Sequence, residues 1–477
     1  MKAVMNNMKE LNKVHKSLIV TLSFFMICAT TVYTQQVGYP TSVSLQKCRE
    51  MALENNIEGN IAKEQINAAG YKATAYKTNY FPKVSATGGY LYTDATMSET
   101  IEGGNLPTFI PDGQGGAIPN GGFAFMPDIP LEINLNGTYN GSLRIEQPIF
   151  TGGKITAAHK MAKTGLEMAQ VNEKLSTDQI ILLCDEAYWN CVKAEAMIVT
   201  ATQYKETLQE LFRTVEGAVE EGMTHRKDLL SVQVKMNEAE LNLTRAENGY
   251  RLAIMNLNHI TGVPLHNATE VVDSFNEDSS INLMPASFGT SNSFDITLRP
   301  EYNLLSKQVE IKMHQVKLVR SDFLPNVGVM GMYGYTNGLK MNGEKLLNGA
   351  NLSALLSVSI PIFNWGEGRN KIKEAKMEGL IAEMQLNHSQ QKMTLEATQA
   401  MYKLNEAQLE VTLSSKSVEQ AQENMKVSKE RYNTGMETLS NYMEAQTMWQ
   451  NAMSTLISAK ASLNLSKTTY LKATGRL

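Results

Sequence analysis

The chain has 477 residues, a formal net charge of −4 at pH 7, and 43% hydrophobic but only 7% aromatic residues. Its mean hydropathy of −0.25 excludes a protein built from membrane-spanning helices, but not one with transmembrane β-strands, which are only half apolar. The slightly negative net charge gives no indication of nucleic-acid binding. The length suggests either several domains or one elongated structure.

Residues 1–34 have the pattern of a secretory signal peptide. Four lysines precede a ten-residue, mostly apolar run from Leu18 to Ile27, and small or polar residues follow it. The run is too short for a helix that anchors the chain across a bilayer. The sequence therefore predicts a signal peptide over 1–34. A short anchoring helix and lipidation at Cys28 are the alternatives, although Met26-Ile27 lacks the small residue that such processing needs.

Three cysteines follow this segment, namely Cys48, Cys184 and Cys191. Cys184 and Cys191 are seven positions apart in a predicted helix, so their Cα atoms lie roughly 10 Å apart, too far for a disulfide. The sequence predicts buried, apolar cysteines and no disulfide framework.

Proline placement predicts very long helices. None of the thirteen prolines falls in 41–81, 149–263 or 362–477. Proline breaks helices because it lacks an N–H and clashes with the preceding turn, and the two longest proline-free stretches are rich in helix formers. Residues 94–133, with five prolines and many glycines, are instead predicted to form a long exposed loop.

The chain repeats itself at an offset of 213 residues. Pro148-Ile149-Phe150 recurs as Pro361-Ile362-Phe363. At the same offset Gly153 matches Gly366, Gly222-Met223 matches Gly435-Met436, and Thr261-Gly262 matches Thr474-Gly475. This spacing predicts a first repeat over 35–262 and a second over 295–477, joined by a linker over 263–294. Chance similarity between helical segments is the alternative.

Each repeat is predicted to contain the same elements in the same order. The first has a helix over 42–79, strands over 83–93 and 134–149, and helices over 153–221 and 226–260. The second has a helix over 296–322, strands over 326–336 and 351–362, and helices over 366–433 and 437–473. A helix of 68 residues would be about 100 Å long, which no globular domain requires.

The predicted strands alternate between apolar and polar residues. In the fourth strand the alternation of Leu352, Leu356 and Val358 with serines is broken only by Leu355. Strands of roughly ten residues with one apolar face are typical of a membrane barrel. A soluble sandwich alternates similarly, but nothing in the sequence supplies a second sheet to cover the apolar faces.

Four strands cannot close a barrel. Open sheet edges in hydrocarbon leave backbone groups unpaired, and single-chain barrels begin near about eight strands. Subunits must therefore pool their strands, and polar inward faces favour the wet pore of a trimer over the filled plug of a dimer.

Together these features resemble the TolC-like outer-membrane factor family. The most specific segments are the strand-to-helix joins 147–153 and 360–366 and the hairpin tips 221–233 and 431–446. The resemblance covers essentially the whole mature chain. It implies a mixed α and β fold, with a trimeric outer-membrane β-barrel of four strands per subunit and twelve in total, continued by a long periplasmic α-helical coiled-coil barrel.

The resemblance also implies a function. The implied function is to serve as the passive outer-membrane exit channel of a tripartite efflux pump or a type I secretion system. The implied partners are two further copies in a homotrimer, a periplasmic adaptor protein, an inner-membrane transporter of the RND or ABC type, and outer-membrane lipid. A periplasmic adaptor is the alternative function, and no cofactor, metal or nucleic acid is expected.

Candidate site residues lie at the two hairpin tips. The family carries acidic rings at the periplasmic aperture, and the matching positions here are Asp228, Ser231, Asn441 and Glu444. Tyr432 matches a gate tyrosine, whereas Glu437 replaces a basic residue. By the same resemblance, the predicted adaptor-docking residues are Gly222, Met223, Arg431, Gly435 and Met436. Independently of the family, threefold symmetry would gather three copies of Asp228 around one axis and focus their field.

Motifs of enzyme chemistry are missing from the sequence. Gly152-Gly153-Lys154 is followed by Ile155 rather than the Ser or Thr of a phosphate loop. No His-Glu-x-x-His zinc motif and no Gly-x-Ser-x-Gly nucleophile elbow occurs. The sequence therefore predicts a protein that is not an enzyme, so that the energy for transport must come from a partner.

Overall fold

The computed structural model describes residues 42–111, 113, 115–273, 275 and 294–477. The predicted signal peptide over 1–34, including Cys28, lies outside the described residues. So do residues 274 and 276–293 of the predicted linker.

Long helices form most of the described structure. The α-helices are α1 (Leu45–Asn55), α2 (Ile57–Lys77), α3 (Lys154–Glu220), α4 (Arg226–Thr261), α5 (Pro300–Ser321), α6 (Glu367–Asn433) and α7 (Leu439–Ala473). At 67 residues each, α3 and α6 are about 100 Å long. α3 and α4 form one antiparallel hairpin and α6 and α7 form another, and α5 packs between α3 and α6. None of these helices combines the length and the apolar character that crossing a membrane requires.

The strands are shorter and more numerous than the helices. They are β1 (Ser42–Val43), β2 (Lys83–Leu91), β3 (Thr96–Ile101), β4 (Gly104–Pro111), β5 (Ala117–Met126), β6 (Ile129–Asn134), β7 (Thr138–Phe150), β8 (Glu270–Val271), β9 (Asn326–Met341) and β10 (Glu344–Ser359). β2, β7, β9 and β10 form an antiparallel sheet in that spatial order. Among the described residues, β2 and β10 therefore each have one neighbour and leave the other edge open.

The second strand pair is longer than predicted. The sequence predicted strands over 326–336 and 351–362 with a loop between them, but β9 and β10 stay paired up to a two-residue turn. Asn342 and Gly343 in that turn have φ of 49° and 80°. Positive φ at both central positions is the geometry of a type I′ turn, which matches the twist of the flanking strands. The Asn-Gly pair thus allows the ladder to continue to its end.

The prediction of a long loop over 94–133 was wrong. This segment contains β3 and β6, which pair with each other, and β4 and β5, which form a separate two-stranded hairpin. Prolines are compatible with these strands because β4 and β5 form a two-stranded sheet, in which both are edge strands with one side that needs no N–H donor. Pro130 of β6 likewise has a free side, since β6 pairs with β9 only through Ile133 and Asn134. Because Ile133 of β6 pairs with Met341 at the end of β9, residues 129–132 of β6 continue beyond the β9–β10 turn.

The predicted helix over 42–79 is interrupted. Asn56 adopts φ −64° and ψ 133°, which ends α1 and starts α2. Its side-chain oxygen accepts from the Glu58 N–H at 2.9 Å, and its amide donates to the Ile260 carbonyl at 3.1 Å. The break is therefore held by the end of α4, more than 200 positions away in sequence. In the second repeat the predicted helix over 296–322 consists of a short 3₁₀ turn, Ile296–Leu298, followed by α5.

Matching glycines mark the duplication in the fold. The pairs at the offset of 213 have nearly the same φ values, and all are positive: Gly153 and Gly366 at 86° and 82°, Gly222 and Gly435 at 74° and 71°, and Gly262 and Gly475 at 73° and 70°. A left-handed conformation favours glycine because a Cβ would clash there. The two repeats therefore turn their chains at equivalent points.

The main hydrophobic core, here called the midbody core, surrounds the three cysteines. Cys48, Cys184 and Cys191 are buried and unbonded, as predicted. Burial raises the pKa of the Cys48 and Cys191 thiols to about 12, and the pKa of Cys184 rises for the same reason. The thiols are therefore protonated apolar side chains rather than nucleophiles.

Candidate functional site

The two hairpin tips have the same backbone geometry. In the first tip the Met223 N–H donates to the Ala218 carbonyl at 2.8 Å, and in the second the Met436 N–H donates to the Arg431 carbonyl at 2.9 Å. Each bond spans five residues across a glycine of positive φ, which is the Schellman ending of a helix. Gly222 and Gly435 therefore end α3 and α6 sharply, as tight reversals require.

Both tips present a methionine to solvent. Met223 is 74% exposed and Met436 is 75% exposed. Methionine is flexible and polarizable, so it adapts to irregular apolar partners. Arg431 is also exposed, one turn before Gly435. All five predicted docking residues thus lie at the ends of the helical hairpins.

Asp228 occupies the first turn of α4. Its carboxylate accepts a hydrogen bond from the Thr224 hydroxyl at 2.6 Å, and the positive end of the helix dipole stabilises it further. The equivalent position of the second repeat, Asn441, lies in the first turn of α7. There the Asn441 N–H donates to the hydroxyl of Thr438, the helix cap, at 3.3 Å.

Tyr432 of the second hairpin lies near Asp228 of the first. Its ring stacks on that of Tyr442, with centroids 5.7 Å apart and planes at 19°. Burial raises the pKa of Tyr432, and the nearby Asp228 carboxylate raises it further because a phenolate beside it would be repelled. The fold therefore brings Asp228 of the first hairpin within electrostatic reach of Tyr432 of the second.

Asn441 and Glu444 are placed differently. Both are exposed on α7, and the buried face of the same helix carries Leu439 and Tyr442. Glu437 is half-buried just before α7 begins. Among the predicted aperture and gate residues, the structure groups Asp228 with Tyr432 and leaves Asn441 and Glu444 on the open surface of one subunit.

A hydrophobic cluster beneath the tips, here called the tip core, holds the hairpins together. It contains buried residues from α3, α4 and α7, namely Tyr204, Leu208, Leu211, Val215, Val232, Ala239, Leu439 and Tyr442. Neither Tyr442 nor Thr224 was singled out from the sequence as a site residue. The signals that could have identified them were the Thr-x-x-x-Asp spacing before α4 and the two tyrosines that flank Gly435.

Within the described ranges, no group of three or more His, Cys, Asp or Glu side chains is arranged to hold a metal ion. A cleft of about 1090 Å³ lies far from the tips, where the sheet meets the helices.

Comparison with known proteins agrees with this architecture. The structure is similar to the Campylobacter jejuni CmeC outer membrane channel, at 19% identity and a TM-score of 0.71, covering 90% of this chain and 85% of that one. It is also similar to the open state of the Neisseria gonorrhoeae MtrE outer membrane channel, at 17% identity and a TM-score of 0.70, covering 90% and 88%. These similarities show that the fold is TolC-like, as predicted.

Sequence comparison identifies the family. Alkaline protease secretion protein AprF of Pseudomonas aeruginosa is 25% identical over 235 residues, which are 48% of this chain and 47% of AprF, so the match spans about half the length of that relative. The family model described as outer membrane efflux protein matches residues 49–263 and 305–476, one segment in each repeat. The chain therefore belongs to the outer membrane efflux protein family.

Proposed function

We propose that the chain is one subunit of a passive exit channel, which conducts material from the periplasm through the outer membrane to the exterior. The observation that carries the proposal is the attachment of an open-edged, amphipathic sheet to helical hairpins about 100 Å long. Such a molecule has one part suited to lipid and one part long enough to cross a compartment. Membership of the outer membrane efflux protein family supports this function over that of a periplasmic adaptor.

The open edges of β2 and β10 support a trimer. In hydrocarbon every unpaired backbone N–H or C=O costs several kcal/mol, so each β10 edge must pair with the β2 edge of another subunit. Three subunits close a ring of twelve strands with the apolar face toward outer-membrane lipid. Val84, Leu143 and Leu352 on that face are exposed in the single subunit.

The helical tips are the proposed docking site for a periplasmic adaptor. Through the adaptor, the channel would work with an inner-membrane transporter of the RND or ABC type. The exposed Met223 and Met436 and the cationic Arg431 supply apolar and charged contacts on a rigid, glycine-ended reversal. In this proposal the transporter supplies the energy, and the channel accepts whatever cargo the transporter delivers.

Reconstitution tests the proposal directly. Full-length mature protein, extracted from the outer membrane in mild detergent, is expected to run as a trimer in native mass spectrometry. The same preparation is expected to conduct ions in planar bilayers. A stable monomer with no conductance would contradict the proposed function, because its sheet edges would then need no partner.

A second experiment tests the aperture. Asp228→Ala combined with Glu444→Ala removes six carboxylates from a trimer, so the ratio of cation to anion permeability is expected to fall roughly tenfold. Reversal potentials in a salt gradient measure this ratio. The control is Asp228→Glu with Glu444→Asp, which keeps the charges and should keep the preference. An unchanged ratio in the alanine variant would show that these carboxylates are ordinary solvated helix-end charges.

A further inference from the structure

A cleft of about 1090 Å³ lies where the sheet meets the helices. Its walls come from α2, α3 and α5, and its remaining side is the end of the four-stranded sheet nearest the helices. Neither the predicted aperture nor the predicted docking tips contribute residues to this cleft.

The strand register shows which face of the sheet lines the cleft. Lys83 is opposite Glu146, Glu146 is opposite Met330, and Met330 is opposite Leu355. These four residues form one row across all four strands and line the cleft.

The neighbouring row lies on the other face of the sheet, because successive side chains of a strand alternate. It contains Val84 and Ile145, and Leu356 lies on the same face in the row on the other side of Leu355. All three side chains are apolar and at least half exposed. Since that face suits lipid, the cleft lies on the pore side. Leu355, the one residue that breaks the alternation of its strand, is a pore-side residue of the cleft.

The walls of the cleft are mainly apolar. Met161 and Ile155 of α3 and Leu318 of α5 face the same space as Met330 and Leu355. Pore-side positions of a water-filled barrel are normally polar, so this apolar patch is a departure from the pattern of the rest of the strands.

The charges around the cleft are unbalanced. Lys154 pairs with Asp322 at 2.8 Å, and Glu146 accepts a hydrogen bond from Arg144 at 3.4 Å. Within the described ranges, Lys72 and Lys83 make no ion pair. Lys83 lies across the strands from Glu146, whose carboxylate is already paired with Arg144. With the two ion pairs counted as neutral, Lys72 and Lys83 leave each subunit an excess of two positive charges beside an apolar surface.

We propose that this cleft is a transient binding site for amphipathic anions, molecules with a long apolar body and one anionic head, on their way through the channel. The apolar body would cover Met330, Leu355 and the helix residues, and the head would lie between Lys72 and Lys83. Ligand sites commonly combine an apolar lining with a few polar groups in this way. The inference rests on the proposed function, because the cleft faces the lumen only when three subunits close the barrel.

The experiment measures binding of a fluorescent fatty acid to trimers in amphipol. Lys72→Ala with Lys83→Ala is expected to weaken binding of the acid about tenfold while leaving its uncharged methyl ester unaffected. Leu355→Ser, which restores the alternation, is expected to weaken acid and ester alike. The matched control is Lys63→Ala with Lys77→Ala, which removes two exposed lysines of α2 that do not line the cleft.

Three outcomes would overturn the inference. They are absence of binding to the wild type, equal binding by the Lys72/Lys83 variant, and full displacement of the probe by anionic lipid when the trimer is in nanodiscs, which would make bilayer lipid the occupant. Each preparation is first checked for trimer mass and conductance. Failure of that check contradicts the proposed function, whereas a conducting trimer that binds no acid contradicts only the cleft.

Discussion

Replacing Arg49 with methionine is expected to lower the free energy of unfolding by about 3 kcal/mol. Arg49 of α1 donates two parallel hydrogen bonds to Asp185 of α3, from Nε at 2.6 Å and from Nη2 at 2.5 Å. Asp185 is fully buried and also accepts from the Thr468 hydroxyl of α7 at 2.5 Å. Without the guanidinium, a carboxylate would remain buried and uncompensated beside the midbody core.

The expected loss of stability is at the low end of the range for breaking buried ion pairs, because 36% of the Arg49 side chain is exposed and water partly screens its charge. Urea denaturation followed by far-UV circular dichroism measures the loss. The control is Lys47→Met on the same helix, whose ion pair with Glu50 is more than half exposed and should contribute less than about 1 kcal/mol. Adding Asp185→Asn to Arg49→Met should recover part of the stability. Equal losses for Arg49→Met and Lys47→Met would contradict the buried-pair argument.

Replacing Gly152 with alanine is expected to destabilise the junction between β7 and α3 by about 2–5 kcal/mol. A Cβ at this position would lie 2.8 Å from the carbonyl oxygen of Ser321, the last residue of α5, and 2.7 Å from the Cβ of Leu324, three residues further on. The φ of 61° adds strain for any residue with a side chain. Because the clash involves backbone and a Cβ, it cannot be relieved by rotating a flexible side chain.

The neighbouring glycine provides the control. Gly153 has a φ of 86°, but a Cβ there would meet no atom within 4 Å, so Gly153→Ala should cost only the strain, about 1–2 kcal/mol. The equivalent of Gly152 in the second repeat is Trp365, which has a φ of 50° and is 90% exposed. At position 365 the positive φ is therefore compatible with a side chain, because the exposed Trp365 is not packed against the end of a helix as Gly152 is. Thermal denaturation of both alanine variants compares the two costs, and equal destabilisation would show that the close packing against α5 is unimportant.

Local patterns in the sequence were sufficient for much of the fold. Proline-free stretches predicted helices that the structure begins and ends within two residues of 153–221, 226–260, 366–433 and 437–473. The glycines at the offset of 213 predicted the equivalent turns because positive φ is a property of one residue and its neighbours. Alternation in β7 and β10 likewise reveals which side chains share a face, since side chains alternate along any strand.

The candidate site was only partly accessible from the sequence. Gly222, Gly435 and the two methionines at the tips could be located from the repeat and the family resemblance. The proximity of Asp228 and Tyr432 could not be predicted from the sequence, because it depends on how the two hairpins pack against each other in the tip core. The place of Leu355 in the cleft was also hidden, since an apolar residue in a polar row resembles an irregularity until the neighbouring helices are located.

The sequence by itself determined the duplicated plan of amphipathic strands and very long helices, because composition, periodicity and turn residues act over a few positions. Only the tertiary structure decided the strands within 94–133, the break at Asn56 and the buried Arg49–Asp185 pair. Each of these depends on hydrogen bonds or contacts with a distant segment: β3 with β6, Asn56 with the end of α4, and α1 with α3. Local propensity cannot specify such partners, because the free energy that selects them is gained only when the chain is folded.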